Sequence, residues 1–304
     1  MRFRSAPIAL LCCCMATLPS VARNCPPADV QPSGGSDGRL RILAIGNSFS
    51  EDAVEQYLYE LFAAAGIEAV IGNLYIGGCP LERHWSNARS GAGAYAYRKV
   101  IGGQKSEQTG VSLESALADE EWDIVTLQQA SGLSGIYSSY KPWLQNLIDW
   151  VSARSGADLW FHQTWAYAGT SDHVDFPKYG CDQTAMYEAI LSAVGQAMAE
   201  HPRLVGVIPS GTAIQNARAS ILGDSFTRDG YHLETTYGRY TAACAWFEAL
   251  SGQPVTGNSY APATIDEQTK TIVRQAAHDA VSRRPARNTP LKPSVATDPS
   301  KDCT

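Results

Sequence analysis

A serine, a histidine and an aspartate can together cleave an acyl bond, and this sequence places three such residues where they could meet. Ser48 lies in Ile45-Gly46-Asn47-Ser48-Phe49-Ser50, directly after an apolar run, and Asp229-Gly230-Tyr231-His232 lies far along the chain. A serine hydroxyl is a poor nucleophile until a base takes its proton. Histidine is the usual base, and a carboxylate fixes its tautomer. Asp229 and His232 are close enough in sequence for one short turn to bring both side chains to the same rim. Ser48 opens an expected helix, where unpaired backbone N–H groups and the helix dipole favour negative charge, so its own amide can face an oxyanion. Gly78, with no side chain to block approach, and the side-chain amide of Gln129 are the other oxyanion candidates. Neighbours on a strand point opposite ways, so Gln128 is the alternative to Gln129. Each such donor lowers a barrier by roughly 3 kcal/mol.

Other residues compete for roles at the same place. Asn47, Trp85, Trp165 and Tyr167 are candidates for substrate binding; the aromatic faces of the last three, in strand-end loops, either stack on sugar rings or simply pack. His84 and His162 read as substrate contacts or satisfied polar groups rather than bases. His173, His201 and His278 read as surface residues. Cys79 adjoins the Gly78 loop, and a structural or disulfide role is expected for it, since no histidine serves it better than His232 serves Ser48. Gly223-Asp224-Ser225 has the form of a nucleophile motif, but no apolar strand precedes it and no periodic helix follows, so it reads as loop.

The elements that must position these residues alternate regularly. Strands are expected at Arg41–Ile45, Ala69–Ile76, Trp122–Leu127, Leu159–His162 and Leu204–Ile208. Helices are expected at Glu51–Ala65, capped by Ser50 and ended by Gly66, and at Pro142–Ala153, Thr184–Glu200, Thr236–Leu250 and Ile265–Arg283. Such alternation predicts an α/β protein, a three-layer α/β/α sandwich around a central five-stranded parallel sheet. Ligands of these sheets collect at the carboxyl ends of the strands. Ser48, Gly78, Gln129, the segment His162–Tyr167 and the Asp229–His232 turn all follow strands.

At 304 residues, 44% hydrophobic and 18% charged, the chain can fill one sizeable core. Its net charge of -6 and lack of a basic cluster argue against nucleic acid as a partner. Residues 1–22 read as a secretory signal: Arg2 and Arg4, an apolar run from Ala6 to Leu18, then Ser20-Val21-Ala22. That run is too short to span a bilayer, so no stable membrane span is expected after cleavage. Bulky Leu11 before Cys12 argues against lipid attachment. Residues 23–38 read as a leader, 39–283 as the domain, and 284–304, with Pro285, Pro290, Pro293 and Pro299, as a disordered tail. Export permits disulfides among Cys25, Cys79, Cys181, Cys244 and Cys303, and Cys25–Cys303 could clip the termini together. Cysteine spacing for a zinc site is missing, and neither metal nor organic cofactor is expected.

The ordered set resembles the SGNH/GDSL hydrolases. Ile45-Gly46-Asn47-Ser48-Phe49-Ser50 resembles their first block, with Asn47 where aspartate is more usual. Gly78 resembles the second-block glycine, and Asp229-Gly230-Tyr231-His232 the closing Asp-x-x-His. The third-block Gly-x-Asn-Asp is missing, with Gln129 in its place. Gly77-Gly78-Cys79-Pro80-Leu81-Glu82-Arg83-His84-Trp85 is similar to the Gly-Gly-Ser-x-x-x-x-x-Trp region of sialate O-acetylesterase-like carbohydrate esterases. The resemblance covers about residues 40–250. It implies a flavodoxin-like SGNH fold and an exported serine esterase acting on small acyl or methyl esters, on carbohydrate or another small ester. The competing readings are a catalytically inactive carbohydrate-binding or surface protein of the same fold, and a lipid esterase or thioesterase. The absence of a long apolar lid counts against long acyl chains.

Overall fold

The strand that precedes Ser48 has no polar face. β1 (Leu40–Gly46) buries every residue but Arg41, as a strand covered on both sides must. The computed structural model describes residues 37–283; the expected signal, the tail and all but the last two residues of the leader lie outside the described residues. β1 pairs in parallel with β2 (Ala69–Tyr75) and with β5 (Ile124–Leu127), and β6 (Asp158–His162) and β7 (Leu204–Ile208) continue the parallel pairing beyond β5. Gly46 stands opposite Tyr75, and Ile45 opposite Leu127. The register therefore brings the carboxyl ends of these three strands to one edge.

Among the described residues the sheet has seven strands rather than the expected five. β3 (Tyr95–Ile101) and β4 (Gln104–Val111) extend it beyond β2 as an antiparallel hairpin, giving the order β4-β3-β2-β1-β5-β6-β7. β4 is almost wholly exposed, so it carries no apolar pattern and is held by backbone pairing and by ion pairs of Lys105 with Glu55 and Glu107 with Arg98. The signal was the turn: Gly102 and Gly103 both have positive φ, 57° and 75°, as a two-residue hairpin loop requires. Lys105 and Glu107 on β4 make this edge unsuited to pairing with another chain. The five parallel strands alone run β2-β1-β5-β6-β7, the flavodoxin-like order.

Helices cover both faces, making an α/β/α architecture. α1 (Ser48–Val54), α2 (Leu58–Ala64), α7 (Ser210–Arg218), α8 (Tyr237–Ser251) and α9 (Glu267–Ser282) pack together in one layer. α3 (Leu81–Ser90), α4 (Leu113–Leu117) and α5 (Trp143–Ser152) pack in the other, joined by α6 (Gln183–Glu200) through the 3₁₀ turn Tyr137–Tyr140. α8 is buried nearly all round, as expected for a helix enclosed by neighbours on every side. Among the described residues no helix is long and apolar enough to cross a membrane.

The single helix expected over Glu51–Ala65 is two. Asn47 rather than Ser50 caps it, so α1 starts at Ser48 itself. The chain then breaks at Tyr57, whose φ of 68° lies in the left-handed region.

Gly46 is where β1 passes closest to α1. A Cβ there would lie 2.5 Å from Ser50 Oγ and 2.8 Å from Ser50 Cβ. Ser50 is fully buried, and its hydroxyl bonds Asn47 O and Asn73 Oδ1, so it cannot move aside without losing both partners. Gly46→Ala is expected to destabilise the fold by about 1–3 kcal/mol in urea unfolding. An unchanged midpoint would show that the start of α1 yields freely.

Candidate active site

In a sheet of this strand order a crevice opens beyond the carboxyl ends of β1 and β5, where successive connections leave in opposite directions. β1 delivers Asn47 and Ser48 there, and β5 delivers Gln128 and Gln129. Asn47 is 1% exposed and therefore not available to substrate. Its Oδ1 accepts from the Phe49 amide at 3.0 Å and from Gln128 Nε2 at 2.8 Å, while its Nδ2 donates to Cys79 O at 3.1 Å. This triple use explains asparagine in place of aspartate: a carboxylate has no hydrogen to give Cys79. Ser48, the first residue of α1, is partly exposed, and no described residue accepts its backbone N–H.

Asp229 and His232 form the tip of a hairpin. Thr227 bridges to Leu233, and the Arg228 amide donates to His232 O at 2.9 Å. Within the turn Asp229 Oδ1 accepts the amides of Tyr231 (3.2 Å) and His232 (2.7 Å), a self-bonding that favours aspartate here. Gly230 has φ 87° and its Cα side approaches Ser171, so a side chain would be strained and crowded. Asp229 Oδ2 lies 2.6 Å from His232 Nδ1. Partial burial raises the Asp229 pKa, but the His232 ring bond and the two amides outweigh it and hold the carboxyl below its ordinary range. With Nδ1–H directed at Asp229, the lone pair of His232 is left on Nε2.

Serine helix and histidine hairpin touch along their length. The Phe49 ring lies 6.1 Å from the His232 ring and stacks on Trp165 at 4.3 Å. Trp165 Nε1 donates to Tyr231 O at 2.7 Å. Asp52, one turn beyond Ser48, accepts the Leu233 amide at 2.7 Å and pairs with Arg228 and Arg239. Ser48 Oγ and His232 Nε2 share no hydrogen bond in this structure. Such bonds are often long without substrate and tighten when it binds.

Several expected contacts are corrected. Gln129 does not face the serine: its Nε2 donates to Ser139 and its Oε1 accepts the Leu81 and Ala130 amides, so it braces α3 against the loop before α5. Gln128 is equally committed, giving Nε2 to Asn47 and Oε1 to His162. Gly78 is exposed at the loop beside Asn47, with φ 61° and open space around its Cα. Trp165 and Tyr167 are fully buried and offer no face to a sugar; Trp165 positions the hairpin, and the Tyr167 hydroxyl bonds Ser131 at 2.9 Å. Trp85 is on α3, not in a loop. It lines a shallow cleft of about 370 Å³ with Trp143, Glu82, Ser86, Arg89 and Ser90.

The remaining histidines and cysteines separate by burial. His162 is a satisfied core group between Gln128 Oε1 (2.7 Å) and Ser210 Oγ (3.0 Å), and His84 bonds the Tyr95 hydroxyl at 3.0 Å. His173 is no plain surface residue. Its Nδ1 accepts the Asp175 amide, and its ring lies 4.6 Å from Tyr231, which in turn lies 4.2 Å from His232. Burial lowers its pKa against the pull of Asp175, and His232 adds to the lowering. His201 bonds Gln145 and His278 pairs with Glu248. Cys79 is buried and its thiol is pushed up to about 12 by burial, which makes it a poor nucleophile. Cys181 is disulfide-bonded, and the Cys25–Cys303 pairing falls outside the described residues. Asp224 caps a loop, accepting the Gly169 amide and pairing with Arg218, while Ser225 Oγ donates to Leu222 O. No cluster among the described residues is arranged to hold a metal ion. Asp52, Arg228 and Arg239 were not singled out from sequence. The signal was an acid one helical turn after Ser48 and two arginines flanking the Asp229–His232 turn.

Burial holds both His84 and His162 down to about 3. Unfolded histidine titrates near about 6.5. Above that pH neither state binds the proton. As pH falls below it the unfolded chain takes protons that the native rings refuse, so stability drops. The unfolding midpoint is expected to fall between pH 7 and pH 5, and to fall less in His162→Gln. Equal slopes in both proteins would remove His162 from the effect.

No curated protein matches the chain significantly. Among solved structures, a candidate SGNH hydrolase from Slackia heliotrinireducens is 23% identical, with a TM-score of 0.49 over 69% of this chain and 98% of that one. TesA is 15% identical, with a TM-score of 0.45 over 71% of this chain and 99% of that one. Neither likeness is close enough to carry function. The crystal structure of a DUF4886 family protein from Bacteroides uniformis is 52% identical, with a TM-score of 0.79, covering 84% of this chain and all of that one. Residues 41–280, nearly the whole of the sheet and its helices, match the family described as a domain of unknown function, DUF4886, and to that family the chain belongs.

Proposed function

We propose that the protein is an exported serine esterase of the SGNH type, acting on small acyl or methyl esters carried by carbohydrate. The observation that carries this reading is the Asp229–His232 pair at 2.6 Å, on a hairpin whose imidazole lies against the residue following Ser48. In this mechanism His232 Nε2 takes the Ser48 hydroxyl proton as Oγ attacks the ester carbonyl. Asp229 holds the ring's orientation and stabilises the imidazolium that forms. The amides of Ser48 and Gly78 receive the oxyanion. With Gln129 engaged elsewhere, the hole has the two backbone donors without the expected side-chain donor. The tetrahedral intermediate collapses, His232 returns the proton to the leaving alcohol, and water attacks the acyl-enzyme with His232 again as base.

The carbohydrate part rests on the cleft between α3 and α5. Trp143 supplies an aromatic face, Arg89 stands over the ring of Trp85, and Ser86, Ser90, Glu82 and Arg89 carry donors and acceptors. Both helices start at the sheet edge that carries Ser48. Export is supported by the Cys181 disulfide, which suits an oxidising compartment. The engagement of Gln129 favours one alternative, the same fold kept for carbohydrate binding without turnover. Covalent labelling of Ser48 by a fluorophosphonate separates the two, since a binding protein has no activated serine.

Wild-type protein is expected to hydrolyse 4-nitrophenyl acetate, and Ser48→Ala to lose on the order of a millionfold in turnover. Equal rates would remove Ser48 from the chemistry. Trp143→Ala is expected to raise KM for an acetylated oligosaccharide about tenfold, the loss of one aromatic contact, while leaving 4-nitrophenyl acetate unaffected. A parallel change on both substrates would count against a sugar-binding cleft.

A further inference from the structure

Asp52 is wholly buried, yet among the described residues every hydrogen bond to its carboxylate comes from one distant segment. The Leu233 amide donates to Oδ2 at 2.7 Å, Arg228 Nη1 reaches both oxygens at 3.0 Å, and Arg239 Nη2 reaches Oδ1 at 2.6 Å. Arg228 directly precedes Asp229, and Leu233 directly follows His232. One carboxylate thus grips both feet of the hairpin that carries the base pair. It does so from the helix whose first residue is Ser48. The corner after α1 extends the grip: Gln56 Oε1 accepts Arg239 Nη1 at 2.6 Å, and the Tyr57 hydroxyl donates to Thr235 O at 3.0 Å. Tyr57 reaches Thr235 from a backbone in the left-handed region, which a side chain adopts only when its surroundings hold it there.

A buried ion pair is a weak device for stability alone, because desolvation offsets the attraction and packed apolar groups would serve as well. What the pairing supplies is geometry. Chemistry between a serine and a histidine on separate elements depends on their relative placement to a fraction of an ångström. We propose that Asp52 is the positioning residue of the site, its buried charge fixing the Asp229–His232 hairpin against the Ser48 helix. This rests on the esterase reading above.

The test measures kcat and KM for 4-nitrophenyl acetate, together with thermal unfolding, in wild type, Ser48→Ala, Asp52→Asn, Arg239→Gln and the Asp52→Asn/Arg239→Gln double variant. Asp52→Asn keeps the shape and removes the charge. It is expected to lower kcat on the order of 10²-fold with KM nearly unchanged, the signature of a misplaced base rather than lost binding. Arg239→Gln should lower kcat by about tenfold, and the double variant should be no worse than Asp52→Asn, because both act through one cluster. A merely structural role predicts lower unfolding temperatures with wild-type kcat in the folded fraction. Folded Asp52→Asn with wild-type kcat, beside an inactive Ser48→Ala, overturns this inference and leaves the esterase reading standing. If Asp52→Asn does not fold, Arg239→Gln decides alone: reduced kcat at constant KM supports the positioning role, and wild-type kcat overturns it. An active Ser48→Ala would instead overturn the esterase reading itself, and this inference with it.

Discussion

One buried carboxylate joins two parts of the chain that are otherwise far apart. Asp52 takes the amide of Leu233 and the guanidiniums of Arg228 and Arg239, and none of these partners belongs to its own helix. A charge in such a place must be fully paired or it destabilises the fold. The hairpin at Asp229–His232 is therefore held in place as a condition of folding, and α8, entered directly after it, is anchored with it. The helix that begins at Ser48 and the hairpin that carries His232 are brought together because both answer to the same side chain.

A second constraint sets the serine from beneath. Ser210, His162, Gln128 and Asn47 form a buried chain of hydrogen bonds running from the start of α7, across the ends of β6 and β5, to the cap of α1. Each member has a partner for the group it presents, and such a chain resists displacement as a unit. Its direction follows from the glutamine: Oε1 can only accept, so His162 donates through Nδ1 and accepts from Ser210 through Nε2. The same arrangement fixes asparagine at position 47. Burial lowers the pKa of His162, a ring that is wholly enclosed.

Aromatic groups complete the arrangement from inside rather than at the surface. Phe49, Trp165 and the backbone of Tyr231 form a stacked and bonded series under the His232 ring. Trp165 does through its indole N–H what a solvent-facing tryptophan would do through its ring: it fixes a partner, here a carbonyl. Trp85, with Arg89 over its ring, and Trp143 line the cleft between α3 and α5. His173 stands beside Tyr231 with its Nδ1 engaged, an imidazole one ring away from His232.

Local pattern made much of this legible. The five parallel strands are apolar runs because both their faces are covered, and Asp229-Gly230-Tyr231-His232 reads as a turn because aspartate bonds its own following amides and glycine supplies the positive φ. The places of Ser48 and Gly78 along the chain were equally plain, since each follows a strand that periodicity reveals, and the Asp229–His232 turn precedes a helix that it reveals. The hairpin of β3 and β4 was missed because β4 is paired without being buried, and burial is what writes periodicity into a sequence. Which way a polar side chain turns could not be read at all. Gln129, Trp165 and Tyr167 carry suitable groups at suitable positions, yet their partners come from Ser139, Tyr231 and Ser131, and such pairings exist only once distant segments are packed. The sequence by itself determined the five parallel strands, their order and the residue types delivered to the sheet edge, because those depend on neighbours along the chain. Only the tertiary structure decided which of those residues face solvent and which are spent on holding the others, because that depends on neighbours across it.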